Sequence, residues 1–148
     1  MKARPFIAAA ALVLAGSLAA PPALADTTIS GRTSQSRPVS IVLRDDGSVR
    51  LVRISWATRL CRRRGNRIRG RTDFRPPYDV NDPGHVEGSR IHNVRRSGLR
   101  VRANANFVAR QQAPGQWRGT VSGGMEVFRG GRKVNDCALR LITWTAAP

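Results

Sequence analysis

The clearest structural pattern in this chain is the stretch GLRVRANANFVAR, which occupies residues 98–110. From Leu99 to Phe107 every second side chain is apolar, and the side chains between them are arginine or asparagine. Successive side chains of a β-strand point to opposite faces, so this alternation predicts a strand with one face in a core. Such a strand, with its other face in water, is typical of an antiparallel sheet.

The same alternation recurs along the chain between turn-forming residues. Two runs flank Asp45-Asp46-Gly47-Ser48 and predict a hairpin, because glycine tolerates the positive φ of a tight turn. Further strands are predicted over residues 66–74, 117–128 and 134–145, and the proline-rich stretch 75–84 is predicted to be a loop. We therefore predict one all-β domain of about seven or eight antiparallel strands, either a sandwich or a small barrel. The tryptophans at alternating strand positions are predicted to lie in its core: Trp56, Trp117 and Trp144.

Residues 1–25 have a different character. Lys2 and Arg4 precede an unbroken apolar run over residues 6–15, and Ala23-Leu24-Ala25 supplies a small-x-small cleavage site. This order predicts a secretory signal peptide, with a secreted β domain over residues 26–148. The apolar run is shorter than the roughly 20 residues of a membrane-spanning helix. We therefore expect an extracellular or cell-envelope protein without a transmembrane segment after removal of the signal.

Cys61 and Cys137 are the only cysteines of the chain. Export would place both in an oxidising compartment, where thiols pair and disulfides persist. The sequence therefore predicts a single disulfide between Cys61 and Cys137 that encloses most of the domain.

The order of several short motifs resembles small secreted all-β proteins of actinomycete-type bacteria, which are largely uncharacterised. The resemblance implies the all-β fold and the disulfide, and it implies no catalytic residue and no ligand. Its motifs are Gly31-Arg32-Thr33-Ser34-Gln35, the turn at Asp46-Gly47, Cys61, the strand ending at Phe107, Gly119-Thr120-Val121, and Cys137 followed by Trp144-Thr145-Ala146.

The charge of the chain favours an anionic partner. There are 26 Lys and Arg residues against 9 Asp and Glu residues, and the formal net charge is +17. Guanidinium groups bind phosphate and carboxylate groups through paired hydrogen bonds. We expect non-specific binding of an anionic polymer or surface, such as wall phosphates, acidic polysaccharide, nucleic acid or an anionic membrane. Sequence-specific nucleic-acid recognition is not expected, because the recognition motifs and stacking aromatics are missing.

Basic residues are densest between Arg59 and Arg75, and alternate positions of a strand there would share its outer face. A composition rich in Arg and Ala and poor in Lys is also typical of GC-rich coding, in which case the basic face has no dedicated ligand. Our predicted anion-binding centre comprises Arg62, Arg63, Arg64, Arg67, Arg69 and Arg71, with Arg100 and Arg102 as second choices.

Catalytic patterns are weak in this sequence. An alternative function is a small secreted phosphodiester hydrolase, in which His85 and His92 act as acid and base and an arginine stabilises the developing charge. Glu87 would share a strand face with His85 and is the third residue of this weak candidate site. A second alternative is a barrel that holds a small apolar ligand, for which Ala103 and Ala105 would leave room. No metal and no cofactor are expected, since histidine, cysteine and carboxylate residues do not cluster at ligand spacing. We expect a binding protein rather than an enzyme.

Overall fold

The computed structural model describes residues 26–58, 60–62, 68–80 and 82–148, so the predicted signal peptide lies outside the described residues. No helix in this part of the chain is long and apolar enough to span a membrane. The described residues form these strands: β1 Thr27–Thr33, β2 Pro38–Leu43, β3 Val49–Ala57, β4 Leu60–Cys61, β5 Arg69–Phe74, β6 His85–Arg96, β7 Leu99–Ala113, β8 Gln116–Arg129 and β9 Arg132–Ala147.

Eight of these strands form one antiparallel sheet that curls into a nearly closed barrel. Their order is β5-β3-β2-β1-β9-β8-β7-β6, and the short β4 pairs with β9 beside the end of β1. Consecutive strands are neighbours from β1 to β3 and from β6 to β9, β5 pairs with β3, and β1 pairs with β9. The predicted all-β antiparallel fold is confirmed, and of the two predicted architectures the structure is the barrel.

The strand alternation places its apolar side chains inside the barrel. In the predicted hairpin, Val39 pairs with Ile54 and Ile41 pairs with Val52, and all four side chains are buried. In β7 Ala103, Ala105 and Phe107 are buried as predicted. Leu99 and Val101 were also predicted to point inward, but they are only half-buried because they lie near the β6–β7 turn.

Large side chains inside the barrel lie against glycines of neighbouring strands. A Cβ atom on Gly70 would come within 2.6 Å of the Trp56 ring, and one on Gly88 within 2.9 Å of the Phe107 ring. The Phe74 and Phe107 rings meet across the core, with 4.4 Å between their centroids. This pairing of large with small residues lets the rings pack closely against neighbouring strands. The arrangement gives no support to the alternative of an enclosed apolar ligand.

The disulfide and the buried tryptophans agree with the sequence prediction. Cys61 of β4 is bonded to Cys137 of β9, at a sequence separation of 76. Trp56, Trp117 and Trp144 are between 2% and 6% exposed. The Trp56 indole donates a buried hydrogen bond of 2.9 Å to the Thr72 hydroxyl, which joins β3 to β5.

The loop that follows β5 partly closes the barrel between β5 and β6. Asp79 and Glu87 exchange two backbone hydrogen bonds of 3.0 Å, which form an isolated bridge. Next to this bridge, the Tyr78 ring packs edge-on against Phe107, and its hydroxyl donates a 2.7 Å hydrogen bond to the Phe74 carbonyl oxygen. Tyr78 therefore ties the closing loop to the aromatic core.

Tyr78 is expected to ionise only at strongly alkaline pH. Burial disfavours the phenolate and raises the pKa of Tyr78 to about 12 from an ordinary value of 10.0. Because the folded pKa is the higher one, the stabilisation is complete below pH 10 and is lost as the pH rises towards 12. Tyr78 is the only tyrosine, so phenolate absorbance near 295 nm reports it alone. A native titration with an ordinary midpoint, equal to that in urea, would contradict this burial.

Candidate anion-binding site

Two long hairpins lie side by side at one end of the barrel. The β6–β7 turn is formed by Ser97 and Gly98, and the β8–β9 turn by Gly130 and Gly131. All four turn residues have positive φ, between 50° and 82°, which matches the tight turn whose twist suits a hairpin. Strands β6 to β9 have 12 to 16 residues, whereas β1, β2 and β5 have six or seven. The short strands therefore do not reach along the whole length of the long hairpins, whose ends extend beyond them.

Pairing across these hairpins places basic residues in adjacent positions. The last two cross-strand rows are Arg95–Arg100–Phe128–Lys133 and Arg96–Leu99–Arg129–Arg132. Directly opposed Cα atoms of an antiparallel pair are about 4.5–5.5 Å apart, so the charges in each row are close neighbours. We call the exposed basic side chains of these rows the basic tip: Arg95, Arg100, Arg129, Arg132 and Lys133.

Most of the charge on the basic tip has no acidic partner. Neither row contains an acidic residue, and Lys133 is the one member with an ion pair among the described residues, 3.4 Å from Glu126. The Arg100 guanidinium instead lies 4.5 Å above the centroid of the Phe128 ring. Like charges directly opposed on paired strands destabilise a sheet. A bound anion would relieve this repulsion.

An open hollow of about 570 Å³ lies between the two hairpin ends. Arg95 and Arg100 line it together with the apolar side chains of Leu99 and Phe128. The remainder of the lining comes from the turns, whose glycines leave the main chain uncovered: Ser97, Gly98, Gly130 and Gly131. An anionic group placed in this hollow can meet the guanidinium donors of Arg95 and Arg100 beside apolar side chains.

The predicted centre falls partly outside the described residues, since Arg63, Arg64 and Arg67 are not among them. Arg62 is exposed, and its backbone N–H donates a 2.9 Å bond to the Asp136 carbonyl oxygen. Arg62 therefore continues the cross-strand row of Arg102, Glu126 and Asp136. This row is two residues along β7 from Arg100 of the basic tip. Two carboxylates lie between Arg62 and Arg102 in this row, so the net charge there is small.

Arg69 and Arg71 are exposed on the outer face of β5, as predicted. Next to them, Asp73 accepts two hydrogen bonds of 2.8 and 2.7 Å from the Arg53 guanidinium. These bonds hold the pKa of Asp73 below its ordinary value, so the carboxylate stays charged beside Arg71, whose Nε lies 3.9 Å away. Arg71 therefore shares one carboxylate with Arg53, whereas Arg69 has no ion pair among the described residues. The β5 arginines also form no grid with Arg100 and Arg102, because β6 lies between β5 and β7 in the barrel order.

Of the predicted anion-binding residues, Arg100 is the one that lies in the basic tip. The other four members were missed by the sequence prediction. Their signal was the flanking of Ser97-Gly98 and of Gly130-Gly131 by basic residues on both sides. A two-residue turn forces its flanking residues to face each other, but only the pairing of β7 with β8 brings the two turns together.

The two histidines are not brought together. His85 pairs with Arg110 and His92 with Ala103 in one uninterrupted register, so Gly88 introduces no bulge between them. Seven residues of strand place them about 23 Å apart and on opposite faces. Glu87 lies near His85 on the same strand but exchanges its backbone bonds with Asp79. A shared acid–base pair around one phosphodiester is therefore not assembled.

No metal centre is present among the described residues, because no three His, Cys, Asp or Glu side chains cluster there. His85 itself is 12% exposed and lies 4.0 Å from Asp82, and its ring nitrogens have no hydrogen-bond partner among the described residues. Compared with β5 and with the row that contains Arg62, the basic tip has more basic side chains without an ion pair among the described residues. No protein-family model, curated protein or solved structure matches this chain.

Proposed function

We propose that this protein binds anionic polymers non-specifically through the basic tip. The observation that carries the proposal is the pairing of two hairpin ends into rows of basic residues without a carboxylate. Four of the five side chains have no ion pair among the described residues. Binding a chain of phosphate, sulfate or carboxylate groups would satisfy several of these cations at once.

A polymer fits this arrangement better than a single small anion. By strand alternation, Arg100 and Lys133 lie on one face of the paired hairpins, and Arg129 and Arg132 lie on the other. One small ion cannot contact both faces, whereas a flexible polyanion can pass over the end of the sheet. Binding of this kind depends mainly on charge and releases counterions, so it weakens steeply as salt rises.

The proposed binding takes place outside the cell. Residues 1–25 have the order of a secretory signal, and the Cys61–Cys137 disulfide is of the kind that persists in oxidising compartments. Candidate ligands there are wall phosphates, acidic polysaccharides, released nucleic acid and anionic lipid surfaces. The proposal assigns no catalytic step.

The test compares two double variants that remove the same charge from opposite ends of the barrel. Arg95→Ala/Arg129→Ala changes the basic tip, and Arg44→Ala/Arg118→Ala changes residues near the other end. Retention on heparin-agarose and affinity for long-chain inorganic polyphosphate are measured at rising NaCl. We expect the tip variant to elute at clearly lower salt, and its slope of log affinity against log salt to fall by about 2. The matched variant should shift much less.

Two outcomes would overturn this assignment. Equal shifts in both double variants would mean that only the net charge matters and that the basic tip is no site. If Arg69→Ser/Arg71→Ser lowered the elution salt and the polyphosphate affinity more than the tip variant, the binding centre would lie on β5. Near-ultraviolet circular dichroism of the buried tryptophans checks that each variant keeps the native core.

A further inference from the structure

The barrel has an open edge that the basic tip does not explain. β5 and β6 are the two ends of the strand order, and the backbone bridge between Asp79 and Glu87 is what joins this seam in the described residues. β5 has six residues and β6 has twelve, so β5 cannot flank the whole of β6. The segment from Ser89 to Arg96 therefore pairs with β7 on one side and has no described strand on its other side.

Exposed apolar side chains concentrate along this seam. Four large hydrophobic residues are strongly exposed in the described part of the chain, and three of them lie here. Ile91 is 57% exposed and Val94 is 51% exposed on β6, and Val80 is 65% exposed just after the Asp79 bridge. Val94 pairs with Val101 of the inward-facing set, yet it remains open to water. An apolar and unpaired strand edge of this kind is a ready template for another strand.

The bridged end of the seam carries Asp79 and Glu87, whereas the free part of β6 has basic residues and no carboxylate. Arg90 and Arg95 are exposed on the free part of β6, and Arg69 and Arg71 are exposed on β5. The one carboxylate on β5, Asp73, is already held by Arg53. Two copies of this edge would place arginines opposite arginines, which disfavours self-pairing. The same charges favour an acidic strand.

We propose that the free edge of β6 binds an extended acidic segment of a partner protein, which adds a strand to the barrel. Main-chain hydrogen bonds to β6 provide affinity, and side chains on alternating faces provide selectivity. On one face the added strand meets Arg90 and Val94, and on the other it meets Ile91 and Arg95. The preferred segment therefore has carboxylates five positions apart with apolar residues just inside them.

A synthetic peptide tests this register directly. The probe is fluorescein-labelled Gly-Glu-Val-Thr-Thr-Val-Glu-Gly, whose palindromic core suits either strand direction. Fluorescence anisotropy at physiological salt measures its affinity for the full mature protein. Two control peptides have the same charge: a scrambled one with the two glutamates adjacent, and one N-methylated at every central residue so that neither of its edges can pair.

We expect N-methylation and Arg90→Glu each to weaken peptide binding about tenfold or more, since several main-chain bonds or one charge-assisted contact are lost. Arg140→Glu, on the exposed face of β9 and separated from β6 by β7 and β8, should change the affinity less than twofold. Ile91→Ser, which leaves the charge unaltered, should also weaken binding and guards against misfolding of Arg90→Glu.

Equal binding of the N-methylated or scrambled peptide would overturn the proposal, because attraction by charge alone would then account for the affinity. Sedimentation of the protein without peptide is the second measurement. A dimer that Ile91→Ser dissociates would mean that a second copy of this chain occupies the edge, and would also overturn the proposal. These results do not depend on polyphosphate binding, so they are distinguishable from those for the basic tip.

Discussion

Replacing Phe107 with alanine is expected to lower the free energy of unfolding by about 4 kcal/mol. The Phe107 ring is 2% exposed, and its centroid lies 4.4 Å from that of Phe74 and 5.7 Å from that of Tyr78. Removing it deletes buried apolar surface and leaves a cavity beside Gly88, which has no side chain to fill it. Urea denaturation followed by tryptophan fluorescence measures the loss.

Phe128→Ala is the matched control, because it removes the same atoms from a half-buried ring on the outer face of β8. Its cost in unfolding free energy should be well under half that of Phe107→Ala. A second readout is the titration of Tyr78, whose pKa should fall towards 10 once Phe107 no longer shields the phenol. Equal denaturation midpoints for the two variants would contradict the central place of Phe107 in the core.

Strand alternation made the fold class predictable. In β3 and β7 the apolar side chains occupy every second position over long runs, and a one-residue slip would expose all of them to water. The pattern therefore fixes which side chains of a strand point inward, and Ile54, Phe107 and Trp144 are buried as expected. Burial could be predicted because it depends on local sequence: each side chain lies on one of the two faces of its own strand.

The closure of the barrel was not predictable in the same way. β1 pairs with β9 through Ser30↔Ala147 to Thr33↔Trp144, yet residues 27–33 contain a single large apolar residue, Ile29. The other inward positions of β1 are Gly31 and Thr33. They supply little apolar surface of their own and pair with the buried Ala146 and Trp144 of β9. That fit depends on a strand more than 100 residues away, which no local pattern reveals.

The candidate site was only partly predictable for a similar reason. A count along the chain finds the arginines between residues 59 and 75, but density in sequence is not density in space. Arg100 was singled out for its outward position, whereas Arg129 and Lys133 gained their importance from pairing across two strands. Conversely, Arg71 has its charge offset by Asp73, which Arg53 positions from a neighbouring strand.

Removing the Cys61–Cys137 disulfide is expected to lower the free energy of unfolding by about 4 kcal/mol, because the bond restricts a long segment of the unfolded chain. The bond spans 76 residues and fastens the short β4 to β9. Cys61→Ala/Cys137→Ala is the suitable variant, since Cys137 is 4% exposed and serine would bury a hydroxyl group there. Urea denaturation of the oxidised protein and of the variant measures the difference.

The reduced natural protein separates the cross-link from side-chain packing. It keeps both sulfur atoms in the core but lacks the bond, so its stability should lie close to that of the alanine variant and far below that of the oxidised protein. The dependence of unfolding free energy on urea should also be steeper without the bond, because the unfolded chain then exposes more surface. If reduction left the midpoint unchanged while the alanine variant lost stability, packing of the sulfur atoms, and not restriction of the unfolded chain, would be the source of the stabilisation.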